Sequence, residues 1–477
     1  MIKNLTHYLI VAIALLFFAC DSKDQENGKL SLLIERGDFV IASGMIKDKL
    51  EDEFLTETQK REFLHQLDMM RRIEREFSLT EADVIDRLSE YFGDSTTVYM
   101  PKWEADKSLE YRLINGQKRY FKNGVSNLFR VSQFAKARKE ELKGAYIDPL
   151  IAYCLEHTTD LVQHTNGEGE LINPVNNFFD YTITVKADAV PAGETIRCWM
   201  PYPKENHARQ QNVELISINT EHYIIAPDSL QQRSIYTEKV AQAGKETIFN
   251  VKFKTTSFAQ VFYPEKMNLK AYDKTTKVYK ENTKERAPQI VFTDQIKKLA
   301  DEICGEETDP FKQVDLLYNW IDINIPWASA LEYGIMPQIP GYVLDNMHGD
   351  CGMQTLLFMS MARYRGIPAK WQSGFMLHPG LVNLHDWCEV YYEGIGWVPL
   401  DQSFEMQKSE NDYVRHFYKT GIDAHRLIVN DDFSREFYPK KDWPRSEPID
   451  FQRGELEWEG GNLYFSDWSY KMKVSYE

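Results

Sequence analysis

Between Gly349 and Asp401 the chain spells out one apolar helix followed by a strand hairpin, and that order constrains the fold more than any other feature. Gly349-Asp350-Cys351 leads into Met353, Leu356, Leu357, Met359 and Met361, and the run stops at Gly366-Ile367-Pro368. Glycine just past the last helical turn, with proline soon after, is a helix stop. Cys351 is therefore expected to open a buried helix. A helix N-terminus carries roughly half a positive elementary charge, which favours a thiolate over a thiol. A thiolate beside a histidine can attack an amide or ester carbonyl.

His385 to Tyr392 reads as a strand rich in aromatic and β-branched residues, Glu393 to Gly396 as a turn, and Trp397 to Asp401 as the returning strand. Such a hairpin brings His385 and Asp401 to the same end of a sheet. Asp401 can then accept the proton of one ring nitrogen and leave the other for the sulfur of Cys351, the logic of a triad. Alternation along the strand puts His385, Trp387 and Glu389 on one face and Asp386, Cys388 and Val390 on the other. Cys388 then points away from His385, which argues against a zinc site using both and against a Cys351–Cys388 disulfide. Pro399 suits a strand end. Taken singly, each residue has a plainer reading, as a small buried hydrophobe, a packed histidine and a turn aspartate. The plainer readings weaken together, because each of the three residues sits in the helix or strand pattern that the chemistry needs.

The stretch HGDCGMQTLLFMSMARYRGIPAKWQSGF resembles the nucleophile segment of the transglutaminase-like superfamily. HDWCEVYYEGIGWVPLD resembles that family's H-x-W-x-E-V…G-W-x-x-x-D stretch, and LLYNWIDINIPW resembles the helix that precedes its core. The resemblance runs from Asp294 to Phe404. It implies an α+β multidomain protein whose papain-like core packs helices on an antiparallel sheet, after a β-sandwich and an N-terminal helical region. It implies Cys351 as nucleophile, His385 as base and Asp401 as orienting acid. The backbone N–H of Cys351 is the natural first oxyanion donor; Trp327 and Gln354 are candidates for support of the second. Gln402 stands where proline is common in the family.

Other segments set the context. Lys3 precedes an apolar stretch, Tyr8 to Phe18, that ends at Ala19-Cys20. This is the layout of a secretory signal peptide, too short to span a bilayer comfortably. It resembles a bacterial lipoprotein processing site, with Cys20 as the lipidated first residue and a lipid anchor in the cell envelope, on either side of the outer membrane. The formal net charge of −16 argues against nucleic acid and against adsorption to anionic membrane surfaces. Six cysteines are present without a CxxC pair. Cys154, Cys198, Cys304 and Cys388 are expected to be buried free thiols, or to form at most one bridge. His348, Asp350 and His378 lie close in sequence but lack the spacing of a metal motif, so no metal or cofactor is expected.

A chain of 477 residues needs more than one core. The reading is residues 1–20 as a lipoprotein signal peptide, 21–29 as a tether, 30–165 as a mainly helical domain, 178–265 as a β-sandwich, 286–405 as the catalytic core and 406–477 as a strand-rich extension. Leu64, Leu67, Met70 and Ile73 recur at helical spacing, and Thr56-x-x-Gln59 and Thr80-x-x-Asp83 resemble capping boxes. Asn115-Gly116 and Asn123-Gly124 are turn signals for a hairpin. Residues 166–177 read as a linker, and Pro326 to Asp350 as a long loop walling the cleft beside Cys351. The function expected is that of an exported thiol enzyme acting on amide bonds of a peptide or protein through a thioester, with hydrolysis favoured over transamidation. The alternative is a non-catalytic surface lipoprotein that binds a peptide or glycan. Oligomeric state is left open.

Overall fold

The computed structural model describes residues 28–146 and 148–476; the signal peptide, Cys20 and residues 21–27 of the tether lie outside them. The described residues fall into two compact units, which divide between Leu128 and Phe129.

The first unit is helical. Residues 28–36 form a helix, followed by helices Phe39–Leu50, Glu57–Glu76, Glu81–Phe92 and Thr96–Ala105. Both capping boxes form, Thr56 with Gln59 and Thr80 with Asp83, so reciprocal side-chain bonds satisfy the first-turn N–H groups. Ile73, Phe77, Leu88, Trp103 and Phe121 are among the buried side chains. Asn115 and Gly116 take positive φ and turn the hairpin that pairs Tyr111–Ile114 with Gln117–Tyr120. The second turn signal acts differently, because Gly124 opens a helix over Gly124–Val131.

The second unit is built from strands β1 (Glu168–Val185), β2 (Thr195–Pro201), β3 (Gln210–Ile218), β4 (Tyr223–Ile225), β5 (Ser234–Val240), β6 (Thr247–Phe262), β7 (Ala369–His378), β8 (Leu381–Tyr392), β9 (Gly396–Leu400), β10 (Gly421–Ile422), β11 (Arg426–Asn430), β12 (Glu455–Trp458), β13 (Gly461–Leu463) and β14 (Trp468–Tyr476). One five-stranded sheet runs β10-β6-β1-β14 with β3 also on β6, and the other runs β13-β12-β2-β5-β4. Side chains from both, including Phe179, Ile183, Val251 and Phe253 against Ile196, Met200, Ile235 and Leu456, share one apolar cluster, as in a sandwich. The same cluster takes in Phe375, Leu377, Leu427 and Val429, so the sandwich and the neighbouring four-stranded sheet, β9-β8-β7-β11, have a continuous core.

One segment departs from the sequence reading. Residues 168–177 are not a linker but the first half of β1, which pairs with β6 through two register shifts. The glycine- and asparagine-rich composition there makes the bulged start of a strand rather than a break. The C-terminal segment is divided: β11 joins the four-stranded sheet, while β12, β13 and β14 complete the sandwich.

Helix α4 (Cys351–Tyr364) packs on β7 and β8 of the four-stranded sheet, and α1 (Asp294–Cys304), α2 (Pro310–Asn324) and α3 (Ile339–Asn346) pack against α4. Every residue of α4 from Gly352 to Arg363 is buried, as expected of a helix apolar on all sides. Gly366 ends it with φ +78°, a value that glycine adopts without strain. The expected loop over Pro326–Asp350 contains α3 and a single 3₁₀ turn at Tyr333–Ile335. Pro340, one of the prolines and glycines within the stretch that reads as a long loop, lies in the first turn of α3, where its missing N–H costs nothing.

Candidate active site

Cys351 is the first residue of α4, and Asp350 caps that helix by accepting the Met353 N–H at 3.2 Å. The Tyr333 hydroxyl donates to the same capping oxygen, Asp350 Oδ1. Glycine at 352 is a packing requirement: a Cβ there would lie 2.3 Å from Tyr333 Oη and 2.7 Å from Asp386 Oδ2. The turn before the cysteine is tied down by a bridge between Trp327 and Gly349, with the Ala328 N–H donating to Gly349 O at 3.2 Å.

His385 sits on β8, opposite Gly374 of β7. Its Nε2 lies 2.7 Å from Asp401 Oδ2, and the pair is almost fully shielded from solvent. Asp401 follows β9 and is fixed at several atoms. Its N–H donates to Tyr418 O at 2.8 Å, the Tyr318 hydroxyl donates to its backbone O at 3.0 Å, and Arg426 Nη2 donates to Oδ2 at 2.9 Å. Burial acts to raise the Asp401 carboxyl, but His385 and Arg426 outweigh it and hold the group below the usual carboxylate range. Arg426 continues to Asp423, at 3.1 Å, whose carboxylate also lies 3.2 Å from His378 Nε2.

The thiol makes a contact that alternation along β8 implies but the sequence reading did not draw. Cys351 Sγ lies 3.4 Å from Asp386 Oδ2. Asp386 shares its strand face with Cys388, away from His385, and α4 packs against that face. No hydrogen bond joins Cys351 to His385 among the described residues. Asp386 Oδ1 accepts from Gln452 Nε2 at 2.7 Å, and the same amide donates to His385 O at 2.8 Å. Burial pushes the Cys351 thiol well above its usual range, and the carboxyls of Asp386 and Asp350 push the same way. Desolvation and these two acids act against the helix end, whose partial positive charge favours a thiolate. Asp350 itself is raised to about 6 by burial, against the pull of the Tyr333 hydroxyl. Burial and neighbouring carboxyls raise Asp386 and Asp450 well above the usual range.

The two oxyanion candidates fare differently. Gln354 Nε2 donates to Ile325 O at 2.9 Å and to Gly349 O at 3.4 Å, so its amide holds the approach to Cys351. Trp327 is half-buried, with the Arg130 guanidinium 4.5 Å over its ring, and its indole N–H has no hydrogen bond among the described residues. Cys154, Cys198, Cys304 and Cys388 are buried free thiols, and Cys351 is the one described cysteine that keeps part of its surface open. His348 and His378 are not brought together; His348 is buried and His378 belongs to the Asp423 cluster. Among the described residues, the one group spaced to hold a cation is His207, Glu389 and Asp431. Lys370, 2.9 Å from Glu389 and 3.0 Å from Asp431, already supplies its positive charge, with Arg209 3.2 Å from Glu389.

Residues 297–402 match the model of the transglutaminase-like superfamily. An uncharacterized protein of Haemophilus influenzae is 27% identical over 139 residues, a stretch covering 24% of this chain and 38% of that protein's length. A solved structure from Cytophaga hutchinsonii, named as a candidate cysteine protease, covers 65% of this chain and 92% of its own at 13% identity and a TM-score of 0.44. The periplasmic domain of TgpA from Pseudomonas aeruginosa covers 47% of this chain and 88% of its own at 14% identity and a TM-score of 0.25. The chain is a multidomain protein of mixed helix and sheet with a transglutaminase-like core.

Proposed function

We propose that this protein is a thiol enzyme that acts on amide bonds of a peptide or protein, with Cys351 as nucleophile, His385 as base and Asp401 as orienting acid. The observation that carries the reading is the 2.7 Å bond from His385 Nε2 to Asp401. It fixes the ring and leaves Nδ1, which has no hydrogen bond among the described residues, to take the thiol proton. Cys351 meets the strand face that turns away from His385, so the reading requires the imidazole and the sulfur to come within reach of each other in the substrate complex. In the reaction, sulfur attacks the carbonyl carbon and the thiol proton passes to His385. The oxyanion is held by the Cys351 N–H, with the Trp327 indole as the second donor. His385 then gives its proton to the leaving amine, and a thioester remains. Water attacking that thioester gives hydrolysis, and a lysine amine attacking it gives transamidation. The proposal favours water.

We also propose that the mature chain begins at a lipidated Cys20 and is tethered in a bacterial cell envelope, at the outer membrane. The support is the layout of the first twenty residues, which lie outside the described ones. Among the described residues, no helix is long and apolar enough to cross a membrane.

A second reading has one observation in its favour. The thiol faces Asp386 and its charged form is disfavoured, as suits a core that only binds a peptide or glycan. Iodoacetamide labelling near pH 6 separates the two. The enzyme reading predicts that Cys351 is alkylated faster than a free model thiol and that His385→Ala slows it. Labelling no faster than a free thiol, unchanged by His385→Ala, supports the binding reading.

A further inference from the structure

Asp386 has a position that the triad does not explain. One carboxyl oxygen lies 3.4 Å from Cys351 Sγ and the other accepts from Gln452, so the group is fixed between the nucleophile and the C-terminal segment. The bare Cα of Gly352 lets it lie against the first turn of α4. The groups that face it come from three directions. Asp350 and Cys351 come from the start of α4, Tyr333 from the 3₁₀ turn, and Glu447 and Asp450 from the C-terminal segment, where Arg453 faces those two acids. Arg453 is the one cation among them, and it is committed to Glu447 at 2.7 Å. No cation bonds to Asp386 among the described residues, and Asp450 Oδ1 is buried without a hydrogen-bond partner. Four carboxyls packed around one arginine cannot all be ionised away from water.

We propose that Asp386 is a further catalytic residue, a neutral carboxylic acid that donates its O–H to the sulfur of Cys351, so that the nucleophile is reactive only while Asp386 keeps its proton. This rests on Cys351 being the nucleophile. The proton count is simple. The thiol proton leaves for His385 Nδ1, the Asp386 proton stays on Oδ2, and the new thiolate accepts that O–H. When rising pH removes the Asp386 proton, a carboxylate stands beside the sulfur. The thiol then keeps its own proton and donates to Oδ2, and attack stops. Burial and the surrounding acids favour the neutral form over an unusually wide pH range.

The test is the rate of iodoacetamide alkylation of Cys351, read by peptide mapping between pH 5 and 9, in the full chain and in Asp386→Asn and Asp386→Ala. An ordinary thiol labels faster as pH rises. The proposal expects the wild-type rate to fall at the alkaline end. In Asp386→Asn, whose amide N–H cannot be lost, that fall disappears. At pH 6 the asparagine variant labels at least about tenfold faster than the alanine variant, the scale of a charge-assisted hydrogen bond. A wild-type rate that climbs with pH like a free thiol, or asparagine and alanine variants that label alike, overturns it. If the alanine variant does not fold by circular dichroism, the wild-type and asparagine profiles decide alone. His385→Ala, run beside them, reports on the triad: no slowing there defeats the enzyme reading, whatever the Asp386 variants do.

Discussion

The His385 imidazole and the Arg426 guanidinium approach the same oxygen of Asp401, at 2.7 and 2.9 Å. The carboxylate is thus shared between the ring it orients and a buried cation that comes from β11, beyond the helix-and-hairpin stretch.

Exchanging the acid for its amide tests the orientation of the ring. Asp401→Asn keeps the shape but offers His385 a poorer acceptor, which destabilises the tautomer that leaves Nδ1 open to the thiol. Turnover of whatever peptide is cleaved should fall by about three to four orders of magnitude, as when the acid of a triad is replaced by its amide. Circular dichroism should be unchanged, and steady-state kinetics on the same peptide checks it.

Arg426→Met addresses the other partner. It leaves Asp401 and Asp423 buried without their shared cation. Breaking one side of a buried ion pair costs about 3–5 kcal/mol, so urea unfolding should show a loss of that order. The Asp401→Asn, Arg426→Met double variant should lose less than the sum of the two single changes.

Gly352→Ala is expected to do harm even though alanine is the better helix former. Its Cβ would fall 2.3 Å from the Tyr333 hydroxyl and 2.7 Å from Asp386 Oδ2, so both side chains must move. Overpacking of this kind costs about 1–3 kcal/mol. Thermal unfolding should show the loss, and alkylation of Cys351 should change with it because Asp386 is displaced.

How much of this was legible in the chain depends on distance along it. The Cys351 helix and the β8–β9 hairpin are written locally, in the Asp350 cap, the Gly366 stop and the turn at Gly394, and the hairpin register, which ends with Cys388 opposite Leu400, brings Asp401 to the end of β8 that carries His385. Asp386 was legible and not drawn: the alternation that turned Cys388 from His385 also turned Asp386 toward α4. Arg426 and Gln452 carried no signal, since each is one polar residue in a segment without periodicity, brought in by β11 and by the return of the chain to the sandwich. Pro340 misled because proline breaks a helix interior but suits its first turn.

The acids of the site give opposite pH dependences. The folded Asp401 carboxyl is lowered, so its stabilisation is present above the ordinary carboxylate pKa and is lost as pH falls through the folded value. Asp350 is raised to about 6, so its contribution is present below the ordinary value of about 3.9 and is lost as pH rises through 6. Asp350→Asn keeps a good N-cap and removes that titration. Relative to wild type, its melting temperature should be higher at pH 8 than at pH 5. A difference that does not change with pH would show that the folded Asp350 carboxyl titrates as it does in the unfolded chain.

The most direct measurement of the central claim is incubation of the protein with a peptide library, read by mass spectrometry beside the Cys351→Ala variant. Cleavage, deamidation and cross-linking each leave a different mass change. The account predicts peptide-bond cleavage or deamidation by the wild type, with water added and nothing cross-linked, and none of it from Cys351→Ala. Equal processing by both proteins, or none by either across the library, would contradict it.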